Sequence, residues 1–191
     1  MSLLSELIDV GDFVAVDSST TSIAFAYVHN NKITRYGKME FKGNGIYKRI
    51  SDISRKTEAL FRTLPVDTLV IESSFYSNNP KTSTNLALAQ GAILGAASIM
   101  GVKNIGSCVP IQWQSGIGNK AFTKEQKAEL MLEYPGKSKP WYQNKVRQLR
   151  KQKTMDYVND KYGLSVTDDD VADALGIAAF VASNRNKVKW D

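Results

Sequence analysis

Four carboxylates stand where a fold can bring them together. Asp17 closes one hydrophobic run, FVAVD, and Glu72 closes another, LVIE. Asp170 and Asp173 are three residues apart, just ahead of the apolar stretch ALGIAAFVA, so on a helix they share one face. Neighbouring strands lie about 5 Å apart, so acids at adjacent strand ends can meet. Gathered in one pocket, four such charges repel one another. Divalent cations remove that conflict, and oxygen-only ligands favour Mg²⁺ or Mn²⁺ over zinc. Two such ions about 3.5–4 Å apart form a clamp for in-line attack of water on a phosphodiester.

Each acid also has a plainer reading. An Asp after a hydrophobic strand often forms a turn. Asp168 and Asp169 suit a helix start, where acids favour the dipole. Asp170 and Asp173 can be solvated first-turn acids. Against this, Asp173 runs directly into Ala-Leu-Gly-Ile-Ala-Ala, where an unpaired carboxylate is costly.

The elements that must position these acids follow from pattern. Residues 1–11 read as a short lead-in or helical turn. Asp12–Asp17, Ile23–Val28 and Ile33–Phe41 read as three strands, joined by an SSTT turn and a hairpin turn at His29–Lys32. Ile46–Leu64 has helical spacing and ends at Pro65. Val66–Ile71 is a fourth strand, Lys81–Met100 a helix rich in small residues, and Val102–Val109 a fifth strand. Pro110–Gly118 reads as a loop, followed by a helix capped at Thr123 and running to Leu132. Residues 135–140 read as another loop, before a strongly basic helix over Trp141–Tyr162 that Gly163 stops. Thr167 can cap a last helix, Asp168–Asn184. This order predicts an α/β fold: a five-stranded mixed central sheet with helices on both faces. At 191 residues the chain reads as one domain, 1–191, with a basic helical insertion at about 135–163.

Composition narrows the chemistry. One cysteine, Cys108, excludes an intramolecular disulfide or a Cys-based zinc cluster. One histidine, His29, excludes HExxH-type sites. A balance of 25 Lys+Arg against 19 Asp+Glu, net +6, is compatible with a polyanionic partner. No apolar run approaches the roughly 20 residues that span a bilayer. The start, MSLLSELIDVGD, is too short and acidic for a secretory signal. These features predict a soluble protein of a reducing compartment, with a cytoplasmic location.

Four segments, in order, carry a family resemblance: FVAVDSSTTSIAFAYV, LVIESSFYSNNPKTSTNLALAQGAILGAA, SGIG and DDDVADALGIAAFVA. Together they resemble the RuvC family of Holliday-junction resolvases, within the ribonuclease H-like superfamily. The resemblance covers about residues 12–120 and 165–182. Its most specific parts are Ile-Glu-x-x-Phe with the Ala-Gln-Gly helix, and Asp-x-x-Asp-Ala-Leu. The length and the basic insertion look like a phage or viral branch.

The resemblance implies a ribonuclease H-like fold and a metal-dependent, structure-selective endonuclease of DNA recombination and repair. It would resolve Holliday junctions or other branched DNA by paired cuts leaving 5′-phosphate and 3′-hydroxyl ends. Asp17, Glu72, Asp170 and Asp173 match the family's metal-binding, catalytic tetrad, implying two Mg²⁺ ions per site, with Mn²⁺ as an alternative. Phe75 matches an aromatic that stacks on bases at the junction centre, and Tyr76 stands beside it; such stacking contributes roughly 1–3 kcal/mol per base. The helix around Gln90, Gly91, Gly95 and Ala97 resembles the family's dimer helix, implying a homodimer. The implied location is the cytoplasm of a bacterial or phage-infected cell.

Two departures stand out. The family's lysine before the Gly-x-Gly loop has no counterpart in Pro110-Ile111-Gln112-Trp113-Gln114, which leaves Lys120 and Lys124 as candidate phosphate contacts. The stretch 137–153 carries seven basic and no acidic residues. There Lys145, Arg147 and Arg150 are candidates for tracking a DNA arm, which a basic helix does mostly without reading sequence. Two other functions share some of these features. DSSTTS also resembles the first phosphate loop of actin-like ATPases and sugar kinases, but the second loop of those proteins is missing. A branched-DNA-binding module without catalysis is the other; the presence of all four acids weighs against it.

Overall fold

Strand parity sorts the central sheet into two faces. The computed structural model describes residues 11–73 and 79–191. The sheet begins with β1 (Phe13–Ser18), β2 (Ser22–His29) and β3 (Lys32–Glu40), joined as antiparallel hairpins. The β2–β3 turn places Asn30 and Asn31 at positive φ, the geometry of a two-residue hairpin turn. β4 (Thr68–Glu72) runs parallel to β1, and β5 (Asn104–Cys108) runs parallel to β4.

A sixth strand, β6 (Lys189–Trp190), pairs antiparallel with β5, giving the order β3-β2-β1-β4-β5-β6. This corrects the expected count of five. Two residues are too short for any periodic signal, and only the return of the chain to the β5 edge defines the strand.

Alternate residues face opposite layers. Val14, Val16, Ile23, Phe25, Leu69 and Ile71 pack on α1 (Ile46–Phe61) and α2 (Pro80–Ile99), through Ile53, Leu60, Phe61, Ala89 and Ile93. Phe13, Ala15, Ala24, Ala26 and Val70 face the other layer. That layer is centred on α6 (Asp169–Ser183), whose residues Ala174–Val181 are all buried. Helices on both faces agree with the expected α/β architecture. No helix among the described residues is long and apolar enough to cross a membrane.

The expected loop at Pro110–Gly118 is instead largely helix: α3 spans Pro110–Gly116. Proline in the first turn fixes φ where no N–H is needed, so Pro110 starts this helix rather than breaking it. The same holds at Lys139-Pro140, which open α5 (Lys139–Tyr162) two residues earlier than the sequence reading. Between them, α4 (Lys124–Glu133) begins with a full capping box of Thr123 and Gln126. Gly163, in the left-handed region, ends α5.

Candidate active site

Register places the acids. β1 and β4 pair Val14 with Leu69, Ala15 with Val70 and Val16 with Ile71. Asp17 and Glu72 stand one step beyond the last pair. Parity puts both on the α6 face, with Ala15 and Val70. The same cross-strand row continues outward. Asp17 pairs with Ala24 and Ala24 with Lys38 on one side, while Glu72 pairs with Cys108 on the other. The helix α6 then brings its N-terminal end over this row.

The acids feel one another. Burial, reinforced by the charge of Asp170, pushes Asp17 up to about 6, although Lys151 and Lys38 pull the other way. Burial and the charge of Asp17 push Glu72 up to about 7, opposed by a hydrogen bond from Trp113. Burial, then Asp17 and Glu72, push Asp173 up to about 8, with Lys151 opposing and Asp170 adding. All four expected acids therefore share one electrostatic neighbourhood, in which three hold protons far above the usual carboxylate range. An all-oxygen donor set under such strain fits a hard divalent cation in chemical type. The carboxylates do not form a closed cage: among the described residues, no three Asp, Glu, His or Cys side chains converge as a metal-binding group.

Two lysines serve as counter-ions at the α6 N-terminus. Lys38 Nζ lies 2.7 Å from Asp170 Oδ2 and 3.1 Å from Asp168 Oδ2. Lys151, on α5, pairs with Asp169. Asp168 is the N-cap of α6; its side chain accepts from the N–H groups of Asp170 and Val171 at 3.0 and 3.1 Å. Burial pushes its carboxyl up, but Lys38 and these N–H groups outweigh it and hold it below the usual range. The helix-start reading of Asp168 thus describes its contacts.

Two further residues fasten the strand ends. Trp113, fully buried on α3, donates its indole N–H to Glu72 Oε2. Gln90, on α2, donates to the Glu72 carbonyl at 2.9 Å and to Ser18 Oγ at 3.4 Å. Trp113 lies against Gly176 of α6, where a Cβ would meet its ring carbon Cζ3 at 2.7 Å. Gly116 is likewise pressed against the Phe180 ring.

Beside Asp173 a groove of about 320 Å³ is lined by Gln114, Gln143, Arg147, Arg150 and Lys151. The basic helix α5 forms one wall. Arg147 is exposed there. Arg150 is half-buried; its guanidinium donates to Gln114 and, at 3.1 Å, to the Asn119 carbonyl. In return Asn119 donates to the Arg150 carbonyl at 2.7 Å and to Thr154 Oγ1 at 3.0 Å. Lys145 lies further along, its ammonium 5.3 Å from the centre of the Tyr134 ring. Lys120 and Lys124 are exposed, on the loop after α3 and in the first turn of α4. Phe75 and Tyr76 lie outside the described residues.

Sequence reasoning missed Lys38, Lys151 and Trp113 as neighbours of the acids. Lys151 fell within the basic stretch, yet nothing in the pattern singled it out from six other cations. Trp113 lies in the stretch read as a loop, where nothing in the pattern marks it as a partner of Glu72. Lys38 carried no motif at all; only its register with Ala24 and Asp17 reveals it.

No protein-family model matches the chain. Among curated proteins, it is 29% identical over 123 residues to the crossover junction endodeoxyribonuclease RuvC of Aliarcobacter butzleri, covering 62% of this chain and 79% of that protein. It is 27% identical over 132 residues to the RuvC of Campylobacter jejuni strain 81116, covering 66% of this chain and 82% of that protein. Among solved structures, Thermus thermophilus RuvC in complex with a Holliday junction substrate superposes with a TM-score of 0.67 at 16% identity, over 95% of this chain and 99% of that one. A second Thermus thermophilus RuvC structure gives a TM-score of 0.65 at 16% identity, over 94% of this chain and 99% of that one. With its mixed sheet flanked by helices on both faces, the chain has the ribonuclease H-like fold of these RuvC structures and is similar in sequence to the RuvC crossover junction endodeoxyribonucleases.

Proposed function

We propose that the protein is a metal-dependent endonuclease that resolves Holliday junctions or related branched DNA. The observation that carries this reading is the shared neighbourhood of Asp17, Glu72, Asp170 and Asp173, from three separate elements, beside a basic groove. It acts as one domain over 1–191, with the stretch at about 135–163 as a basic insertion, in the cytoplasm of a bacterial or phage-infected cell. The curated relatives carry the name of this activity.

In this reading the four carboxylates hold two Mg²⁺ ions, with Mn²⁺ as an alternative. When bound, they supply Lewis-acid activation of water and neutralise charge building on the leaving 3′ oxygen. The chain's own residues do the rest. Trp113 fixes the orientation of Glu72 and favours its ionised form. Lys151 favours the ionised forms of Asp17 and Asp173 and stands in the groove where a phosphate flanking the cut would lie. Arg147 and Lys145 follow the DNA arm by charge, while Arg150 locks α5 to the α3–α4 connection. Lys120 and Lys124 are available to the same backbone from α4's side. Phe75 and Tyr76 take the role of base-stacking aromatics at the junction centre. Water attack in line with the leaving oxygen gives a 5′-phosphate and a 3′-hydroxyl.

Cutting two strands symmetrically needs two sites related by a two-fold axis. α2 offers a surface for this, with Ala87, Leu88, Gly91, Gly95 and Ile99 exposed along one side of the helix.

The test is cleavage of a synthetic four-way junction at fixed salt, alongside three-way, flap and linear controls. Paired nicks that require Mg²⁺ and disappear in Asp17→Asn, with junction binding retained, are expected. Metal-independent cutting, or equal cutting of linear duplex, overturns the reading.

A further inference from the structure

Lys38 is held in an arrangement that the proposed chemistry cannot leave undisturbed. Its ammonium bridges Asp170 and Asp168, and its side chain is 26% exposed, against 32% for Asp170. The reach depends on Ala24. Lys38, Ala24 and Asp17 are successive partners in one cross-strand row, and the small middle residue leaves room for a long side chain to cross toward α6. An ammonium on Asp170 Oδ2 competes by charge and by space with a divalent cation for that oxygen. A lysine is well suited to give way, being a compact charge on a flexible four-carbon stem.

The ammonium has somewhere else to go. Lys38 and Asp170 together line a groove of about 400 Å³, whose other walls are Ser19, Thr21, Ser22, Phe41 and, as one more carboxylate, Glu40. Those hydroxyls already form a connected set: Ser19 Oγ lies 3.2 Å from Thr21 Oγ1 and 3.0 Å from Ser22 Oγ. Hydroxyl donors beside an ammonium suit a phosphate oxygen. This groove adjoins Asp170, while the Arg147–Lys151 groove adjoins Asp173. The acids thus stand between two places where a nucleic-acid backbone can rest.

We propose that Lys38 is an exchangeable internal counter-ion: it neutralises Asp170 until a divalent cation takes that carboxylate, and the released ammonium then contacts a backbone phosphate in the hydroxyl-lined groove. The inference rests on the proposed metal-dependent nuclease and adds to it a coupling between cation and DNA binding. Each ligand favours the same displaced position of Lys38, so each strengthens the other.

The test uses Lys38→Gln, with Lys38→Arg as the charge-retaining control, and two readouts besides cleavage. Mn²⁺ binding is measured on the DNA-free protein by electron paramagnetic resonance. Removal of the competing ammonium is expected to tighten Mn²⁺ binding about threefold or more, the scale of a part-exposed ion pair. Junction affinity is then measured against salt, once with Ca²⁺ and once with EDTA. Lys38→Gln is expected to lower the salt slope by about 0.9, one phosphate contact, with Ca²⁺ only. Unchanged or weaker Mn²⁺ binding in Lys38→Gln overturns the inference, as does an equal loss of slope in EDTA. Failure of the wild-type protein to bind Mn²⁺ at all overturns the proposed nuclease instead.

Discussion

The indole N–H of Trp113 donates a hydrogen bond to Oε2 of Glu72, joining the short helix α3 to the end of β4. The bond favours the charged carboxylate, in opposition to burial and to Asp17. Trp113→Phe removes the donor while keeping an aromatic ring. Glu72 then becomes harder to ionise than its present value of about 7. The acidic limb of the cleavage pH profile is expected to move to higher pH, with kcat reduced and junction binding preserved. Loss of the bond is expected to destabilise the protein by about 1–3 kcal/mol. A profile identical to wild type would remove Trp113 from any positioning role.

Gly176→Ala tests the same contact from the opposite side. A Cβ there comes within 2.7 Å of Trp113 Cζ3, and both groups are buried. Overpacking of this kind costs about 1–3 kcal/mol. The substitution is expected to lower the melting temperature and to shift the pH profile in the same direction as Trp113→Phe. The double variant should shift it no further, because both act through one hydrogen bond.

The metal-free protein should lose stability as pH rises. Asp17, Glu72 and Asp173 titrate at about 6, 7 and 8 in the folded state, all above their ordinary values. Between about pH 4 and those values the folded chain holds protons that the unfolded chain has released. Stability therefore falls with increasing pH across that window and reaches its lower plateau above about 8. In EDTA the melting temperature is expected to drop from pH 5 to pH 9. Asp173→Asn, which cannot ionise, should raise it at pH 8 by several degrees, at roughly 2–4 °C per kcal/mol for a chain of this size. A melting temperature that rises over this range would show that the acids do not repel one another as described.

Part of this site was legible from where the acids stand in the chain. Asp17 and Glu72 close continuous hydrophobic runs, which marks them as strand ends, and Asp170 and Asp173 share a helix face by spacing alone. That Asp17 and Glu72 come near each other needed only the usual closeness of neighbouring strand ends. Lys38 was not legible, because its place depends on β2–β3 register, which a one-residue slip would have reversed. Trp113 was hidden by reading Pro110–Gly118 as a loop, when Pro110 begins α3. β6 was hidden by its length, and Gly106, where a Cβ would meet Trp190 at 2.8 Å, shows how closely it packs on β5. In the basic stretch, composition gave the sign of the charge but not which cations are free. Arg150 and Arg147 look alike in sequence; only the partners of Arg150 separate them.

That separation gives the last prediction. Arg150 donates to Gln114 and to the Asn119 carbonyl, and the same turn of α5 accepts from Asn119. Arg150→Ala should therefore act on the fold: it leaves Gln114 and the Asn119 carbonyl without this donor, in a part-buried setting, at a cost of about 1–3 kcal/mol. Arg147 is exposed in the groove beside Asp173 and its side chain is free to meet a phosphate. Arg147→Glu should leave the melting temperature close to wild type and weaken junction binding, with the salt slope reduced by about 0.9. Measured together, thermal melts and salt-dependent binding place the two arginines in opposite corners. If Arg147→Glu binds junctions with an unchanged slope while melting normally, this wall of the groove faces solvent rather than DNA.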